Sequence, residues 1–221
     1  MKSSGSRHVR EPRAPVSVSR PRTRLSGLGT GYLIYGPQEL FGYPARDDSV
    51  DFATGMWGIW MPGFMQFITG VYLFAGLTLF GTFKAPAVYL AALAFTAYGL
   101  HWFAMGWNRL RRTDPRVNVG MTIAFLLISI LGIIVFFKVG DAPVGGLFIG
   151  LACVYAVDFL ASLKPDLPKP GGWGERALGF FHLGTGFWLM YLVFAVVLNR
   201  TQLRAAALTA LMRAGLREAG G

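Results

Sequence analysis

The sequence is poor in charged residues, which make up only 14% of its 221 positions, against about 25% in an ordinary soluble domain. Hydrophobic residues make up 53% of the chain, and the mean hydropathy is +0.46. The apolar residues also occur in runs that are too long for the core of one soluble domain. These values exclude an ordinary water-soluble domain and predict an integral membrane protein.

Cysteine and histidine are scarce as well. The one cysteine, Cys153, excludes an internal disulfide, and its place in an apolar run indicates a small core residue. Of the three histidines, His8 lies in the N-terminal tail, and the sequence contains no HExxH, CxxC, GxSxG or P-loop motif. We therefore expect no enzyme activity, no catalytic residue, no cofactor and no metal site.

Five long apolar runs dominate the rest of the chain. A membrane-spanning helix needs about 20 residues, and the runs predict spans at about 54–82, 87–107, 117–137, 143–163 and 176–198. None of the runs alternates as a strand would, so the fold class is an all-α polytopic helix bundle over residues 52–198. The first run is longer than a bilayer requires, which predicts a tilt or a break near Pro62-Gly63.

Three segments flank this bundle. Residues 1–24 hold seven basic residues and no aromatic residue, which predicts a disordered basic tail. Residues 25–51 are apolar in part but contain several glycines, Pro37 and Glu39, so we expect an interfacial or re-entrant segment, with 25–45 as a candidate sixth span. Residues 199–221 have an apolar stripe and several arginines, which predicts an amphipathic helix in the membrane interface or docked on its own bundle.

The chain is strongly basic, with 21 Lys and Arg against 11 Asp and Glu and a net charge of +10. Most of the basic residues lie outside the apolar runs, and Arg109, at the end of the second run, is interpreted as an interface anchor. Attraction to an anionic lipid surface and the positive-inside rule account for them without nucleic acid. We expect a multi-pass protein of the cell membrane whose partners include the lipid bilayer.

A few polar side chains lie inside the predicted spans. Ionisable residues in lipid are costly unless they are paired or hydrated, so His101, Asp158 and His182 are candidate proton-linked residues. Hydrogen-bonded core histidines and an interface-capping carboxylate are the alternatives. The amide of Gln66 is explained equally well as a helix–helix contact or as part of a pore lining.

The second span carries an aromatic stripe. Phe95, Tyr98 and Trp102 follow the spacing i, i+3, i+7, which fits either helix packing or one wall of a narrow lumen. The first two spans are joined by the short break Lys84-Ala85-Pro86, so they should pack as antiparallel neighbours. Small residues permit close approach of helices in lipid, and three glycines are candidates for that contact: Gly63, Gly70 and Gly99.

Several stretches together resemble one known family. Residues 95–102 (FTAYGLHW) resemble the Phe-Thr-Ser-Tyr-Gly-x-x-Trp signature of the acetate uptake transporter family, whose members are small permeases for acetate and succinate. Residues 63–70 (GFMQFITG) resemble its Gly-x-x-Gln-x-x-Ala-Gly stretch, and residues 186–191, followed by Leu198-Asn199, resemble its last helix. The resemblance covers residues 55–200. The family's first-helix motif Asn-Pro-Ala-Pro-Leu-Gly-Leu has no counterpart here.

The resemblance implies a function and an assembly. Family members have six helices per subunit and form hexameric rings in which each protomer has its own pore, so a homo-oligomer, specifically a hexamer, is expected. Tyr98 takes the position of a constriction residue, with Tyr32 and Tyr35 as candidates for the first-helix aromatic. The expected function is membrane transport of a small monocarboxylate such as acetate, channel-like or proton-coupled. The expected substrate path comprises Gln66, Phe95, Thr96, Tyr98 and Trp102. The alternative is a non-transporting membrane scaffold or complex subunit derived from the same fold.

Overall fold

The computed structural model describes residues 26–163 and 172–218, and for residues 203–218 it describes only the backbone. Every regular element in these ranges is a helix. The α-helices are α1 (Ser26–Phe41), α2 (Asp48–Gly58), α3 (Met65–Thr78), α4 (Pro86–Arg111), α5 (Val119–Lys138), α6 (Ala142–Leu163) and α7 (Trp173–Glu218). The predicted disordered tail, residues 1–24, lies outside the described residues.

The predicted fold class is confirmed. Within the described residues, five helical stretches are long and apolar enough to cross a membrane: Asp48–Thr78, Pro86–Arg111, Val119–Lys138, Ala142–Ser162 and Trp173–Asn199. Large apolar side chains such as Leu127, Ile134, Phe187 and Phe194 are more than half exposed on the outside of the bundle. An apolar outer surface of this kind suits contact with lipid chains.

The first span changes its helical geometry at the position where the sequence predicts a tilt or a break. α2 and α3 form one continuous helix that passes through a π-helical turn at Ile59–Phe64, which contains Pro62. Proline has no N–H to donate and its ring clashes with the carbonyl four residues earlier, so the turn must widen. α1 packs against this turn: a Cβ on Gly31 would lie 2.6 Å from the Pro62 ring.

Residues expected to be interfacial or re-entrant form α1, a helix with nine buried residues. α1 runs antiparallel to α7 along two pairs of glycines, Gly29 with Gly186 and Gly36 with Gly179. The pairs are spaced by seven residues on both helices, which is two helical turns. A Cβ on Gly179 would lie 2.5 Å from the Leu40 nitrogen, so the two backbones are nearly in contact.

The first two spans form the predicted antiparallel hairpin. Its α3–α4 contact brings backbone against backbone, because a Cβ on Gly99 would lie 2.5 Å from the Phe67 nitrogen. A Cβ on Gly70 would meet the Thr96 backbone nitrogen at 2.7 Å. α4 begins with Pro86 at its first position, where the missing N–H has no helical acceptor.

The last helix is longer than a span. α7 continues without a break from Trp173 to Glu218, 46 residues in all. The segment expected to be a C-terminal amphipathic helix is therefore helical through Glu218 and continuous with the fifth span. Its position relative to lipid stays a prediction.

Candidate functional site

Gln66 lies on the inner face of α3 and is completely buried. Neither its amide nitrogen nor its amide oxygen has a hydrogen-bond partner among the residues that the structure describes. The neighbouring Phe67 packs on Gly99 of α4, so Gln66 and Tyr98 lie at about the same level of the hairpin. A buried amide in this state is expected to meet water or a solute.

Tyr98 points into the bundle and is 3% exposed. Its hydroxyl lies 2.9 Å from the Ser129 hydroxyl of α5. Ser129 donates its own hydrogen to the Phe125 carbonyl at 2.8 Å, so Tyr98 must be the donor in the shared bond. The Tyr98 hydroxyl hydrogen is therefore held by a neutral acceptor, with which a carboxylate oxygen could compete.

Aromatic rings from three helices surround Tyr98. Tyr155 of α6 stacks on it with a centroid distance of 5.6 Å, and Phe125 meets it edge to face at 5.5 Å. His101, one turn along α4, contacts the same two rings at 5.7 Å and 5.0 Å. These rings pack together in the bundle interior around Tyr98, the position that the family resemblance assigns to a constriction.

Trp102 connects α4 to α1. Its ring lies 5.6 Å from Tyr32 and 5.0 Å from Tyr35, measured between centroids. Trp102 is 1% exposed, and its indole N–H has no acceptor among the described residues. The two first-helix tyrosines named from the resemblance therefore both face α4, and Trp102 adds a second unsatisfied buried donor to the one at Gln66.

His182 of α7 is brought against α1. Its Nδ1 lies 2.5 Å from Glu39 Oε2, and its ring stacks on Tyr32 at 4.6 Å. Both side chains of this pair are almost completely buried, at 4% and 6% exposure. Since a buried carboxylate without a partner would be costly, this contact explains how Glu39 is accommodated inside an apolar bundle.

The other two candidate proton-linked residues lie nearby but make weaker contacts. His101 is buried, and its Nδ1 lies 3.2 Å from the Met121 sulfur, a poor hydrogen-bonding partner. Asp158 on α6 is half-buried, and its charge interacts with His182 and Glu39. No three His, Cys, Asp or Glu side chains in the described ranges are grouped to hold a metal ion.

Two residues expected in the path have other contacts. The Thr96 hydroxyl donates to the Ala92 carbonyl of its own helix at 2.9 Å, and the residue packs on Gly70. Phe95 is half-buried at the edge of the core. Gln66, Tyr98 and Trp102 are therefore almost completely buried inside the bundle, whereas Phe95 and Thr96 are only half-buried.

A polar network at one end of the bundle was not anticipated. The sequence suggests that Arg109 is an interface anchor, but its side chain is only 13% exposed. It lies over the Tyr35 ring at 4.6 Å and donates to the Gln38 amide oxygen. The residue spacing could have indicated that Arg109 faces the bundle interior, because residues 98, 102, 105 and 109 share one face of a helix.

Helix α2 and the loop before it complete this network. The Gln38 amide donates to the Thr54 hydroxyl at 3.1 Å, and the Tyr35 hydroxyl donates to the Thr54 carbonyl at 3.1 Å. Arg46 binds both oxygens of Asp51, at 3.0 Å and 3.1 Å. Partial burial by itself lowers the pKa of Arg46, but the hydrogen bonds and the charge of Asp51 outweigh it and hold that pKa above its usual value.

No protein-family model and no curated protein sequence matches this chain. Among solved structures, the chain is similar to the bacterial acetate channel SatP, with a TM-score of 0.59 and 18% sequence identity. The match covers 83% of this chain and 94% of the channel. The two proteins share a fold, which confirms at that level the resemblance inferred from residues 55–200.

Proposed function

We propose that this chain is a channel-type membrane transporter for a small monocarboxylate such as acetate. The observation that carries the proposal is the Gln66 amide, which is fully buried yet has no hydrogen-bond partner among the described residues. Similarity in fold to an acetate channel supports the same conclusion.

An amide in this position is difficult to explain as structural. Burying an amide without a hydrogen bond costs about 1–3 kcal/mol in proteins. A contact that served only to hold α3 against its neighbours would be expected to find an acceptor or donor on the facing helix. A polar group that meets a passing solute or water instead needs to be free of protein partners.

The polar groups near Gln66 suit a carboxylate. Gln66, Trp102 and Tyr98 each offer an N–H or O–H donor, and a carboxylate accepts hydrogen bonds at both of its oxygens. The surrounding rings of Tyr155, Phe125 and Tyr32 restrict the width of the path and offer no charge. Such a site would bind the solute weakly, which favours fast passage.

Helix α1 would complete the path and cross the membrane as a sixth helix. It has 16 residues, or about 24 Å of length, and its inner face carries Tyr32, Tyr35 and Glu39. Gln38 is buried against α2 and α4, and Glu39 is buried against α7, so these two polar side chains do not meet lipid. The Glu39–His182 pair, with Asp158 and His101 nearby, is the proposed location of any proton that accompanies the solute.

A hexameric assembly in the cell membrane is the further expectation from the family resemblance. A second candidate function is a non-transporting subunit that holds a partner. The observation that favours it is the extension of α7, which continues to Glu218, well past the end of the apolar stretch at Asn199.

Uptake by purified protein in liposomes separates these functions. Labelled acetate should enter proteoliposomes faster than protein-free vesicles, and unlabelled acetate or propionate should compete for entry. Bulky carboxylates such as benzoate should compete poorly, because aromatic rings enclose the path. Acetate entry equal to that of protein-free vesicles would reject transport, and a partner that always copurifies with the chain would then favour the scaffold.

A further inference from the structure

We infer that Arg109 is a carboxylate-binding residue at one mouth of the path and gives the path its preference for anions over neutral solutes. The inference rests on the proposed function, since it names the group that selects the solute. Arg109 lies on the same face of α4 as Tyr98 and Trp102. It follows Tyr98 by eleven residues, or about 16 Å along the helix, which places it where the polar interior reaches the bundle end.

The guanidinium is held in position from one side. The Tyr35 ring supports it at 4.6 Å, and the Tyr35 hydroxyl is fixed in turn by the Thr54 carbonyl. A cation over an aromatic face keeps its charge and loses conformational freedom. The planar guanidinium can then present its edge to a carboxylate, the partner that its geometry matches best.

The carboxylates near Arg109 are each bound more closely by another group. Asp51 gives both of its oxygens to Arg46, and its Oδ1 lies 3.5 Å from Arg109 Nη1. Glu39 is bound to His182 at 2.5 Å. Arg109 therefore keeps a long ion pair with Asp51, while its nearest acceptor among the described residues is the neutral amide oxygen of Gln38.

A neutral acceptor forms a weaker hydrogen bond with a buried cation than a carboxylate does. Hydrogen bonds between two charged groups are roughly twice as strong as those between neutral groups. An entering carboxylate should therefore displace the Gln38 oxygen from Arg109, while the Gln38 nitrogen keeps its bond to Thr54 Oγ1. Arg109 would thus draw the anion out of water, after which the Trp102 and Tyr98 donors receive it deeper in the bundle.

Acetate and acetamide test this role because they have nearly the same size and shape and differ in charge. The experiment measures the ratio of acetate to acetamide entry into proteoliposomes at mildly alkaline pH, after subtraction of protein-free vesicles. In Arg109→Gln the ratio should fall at least about tenfold, which corresponds to about 1.4 kcal/mol. Arg109→Lys should retain most of the ratio, because the charge remains.

A second variant tests the same site with the guanidinium in place. Gln38→Glu puts a carboxylate of the same shape on Arg109 and lets the Thr54 hydroxyl donate to it, so the fold should be kept. The Glu side chain should pair with the Arg109 guanidinium in place of the solute, so the ratio of acetate to acetamide entry should fall as well. Arg111→Gln is the matched control, since Arg111 lies two residues away, is exposed and contacts Trp107.

The outcomes separate this inference from the proposed function. If wild-type protein admits neither solute, both are rejected. If wild-type protein admits acetate, and Gln38→Glu and a folded Arg109→Gln keep the wild-type ratio, transport stands and Arg109 does not select the anion. If Arg109→Gln does not fold, Gln38→Glu alone decides, and an unchanged ratio in that variant overturns the inference.

Discussion

The imidazole of His182 and the carboxylate of Glu39 form a buried hydrogen bond of 2.5 Å between α7 and α1, although 143 residues separate them in sequence. The contact lies beside the close approach of Gly36 and Gly179, where the two helix backbones nearly touch. A close hydrogen bond between an acidic and a basic side chain allows both groups to be accommodated in an apolar interior.

Removal of one partner should therefore be costly. Glu39→Ala leaves His182 without its acceptor and should lower the free energy of unfolding by about 3–5 kcal/mol. Glu39→Gln retains an oxygen that can accept from Nδ1 and should lower the free energy of unfolding much less.

Asp48→Ala is the control for these variants. Asp48 pairs with Arg112 at the exposed surface, so its replacement should change stability by at most about 1 kcal/mol. Denaturation of the purified protein in detergent measures all three; a Glu39→Ala protein as stable as the control would contradict a structural role for the pair.

The hydroxyl of Tyr98 should matter for transport more than for folding. Tyr98→Phe removes the bond to Ser129, whose own hydrogen still goes to Phe125, so stability should fall by only about 0.5–1.5 kcal/mol. Acetate entry should fall, because one donor is lost from the path. Tyr98→Ala should instead widen the path and admit larger carboxylates. Unchanged acetate entry and size selection in both variants would exclude Tyr98 from the path.

The close contact at Gly99 predicts a sensitive position. Gly99→Ala places a Cβ 2.5 Å from the Phe67 nitrogen, so α3 and α4 must move apart, and the thermal midpoint should fall. Gly184→Ala is the matched control, since a Cβ there would meet no atom within 4 Å apart from its chain neighbours and the backbone of its own helical turn. There the change should be neutral or stabilising, because alanine is favoured over glycine in a helix by about 1 kcal/mol. Equal midpoints for the two variants would mean that the α3–α4 contact is not close.

The helix bundle could be predicted from the sequence because bilayer thickness fixes the length of an apolar run. All five long runs became helices of spanning length, and the over-long first run is interrupted at Pro62, where proline removes a backbone donor. Both features depend only on the local sequence, namely the length of an apolar run and the chemistry of proline, and not on contacts between distant residues.

Helix α1 and its contacts could not be predicted in the same way. Gln38 and Glu39 make residues 25–45 look poorly suited to the membrane interior, and their partners Thr54, Arg109 and His182 lie on three other helices. Only the assembled bundle shows that these polar groups satisfy one another. The position of Arg109 at a helix end likewise favours an interface anchor, and although its spacing places it on the Tyr98 face, the sequence does not show that Tyr35 and Gln38 lie beside it.

The proposed transport function depends most directly on Gln66, whose replacement by leucine changes polarity at nearly constant volume. If the amide lines a path, Gln66→Leu should leave the thermal midpoint unchanged or raise it, since an unsatisfied buried amide is removed.

The decisive measurement is the initial rate of acetate entry into proteoliposomes for wild type and Gln66→Leu at equal amounts of folded protein. Transport along a path lined by Gln66 predicts entry well above that of protein-free vesicles for wild type. For Gln66→Leu it predicts a fall of about tenfold or more, the equivalent of one hydrogen bond to a charged solute. Wild-type entry no faster than that of protein-free vesicles, or equal entry in the two proteins, would contradict it.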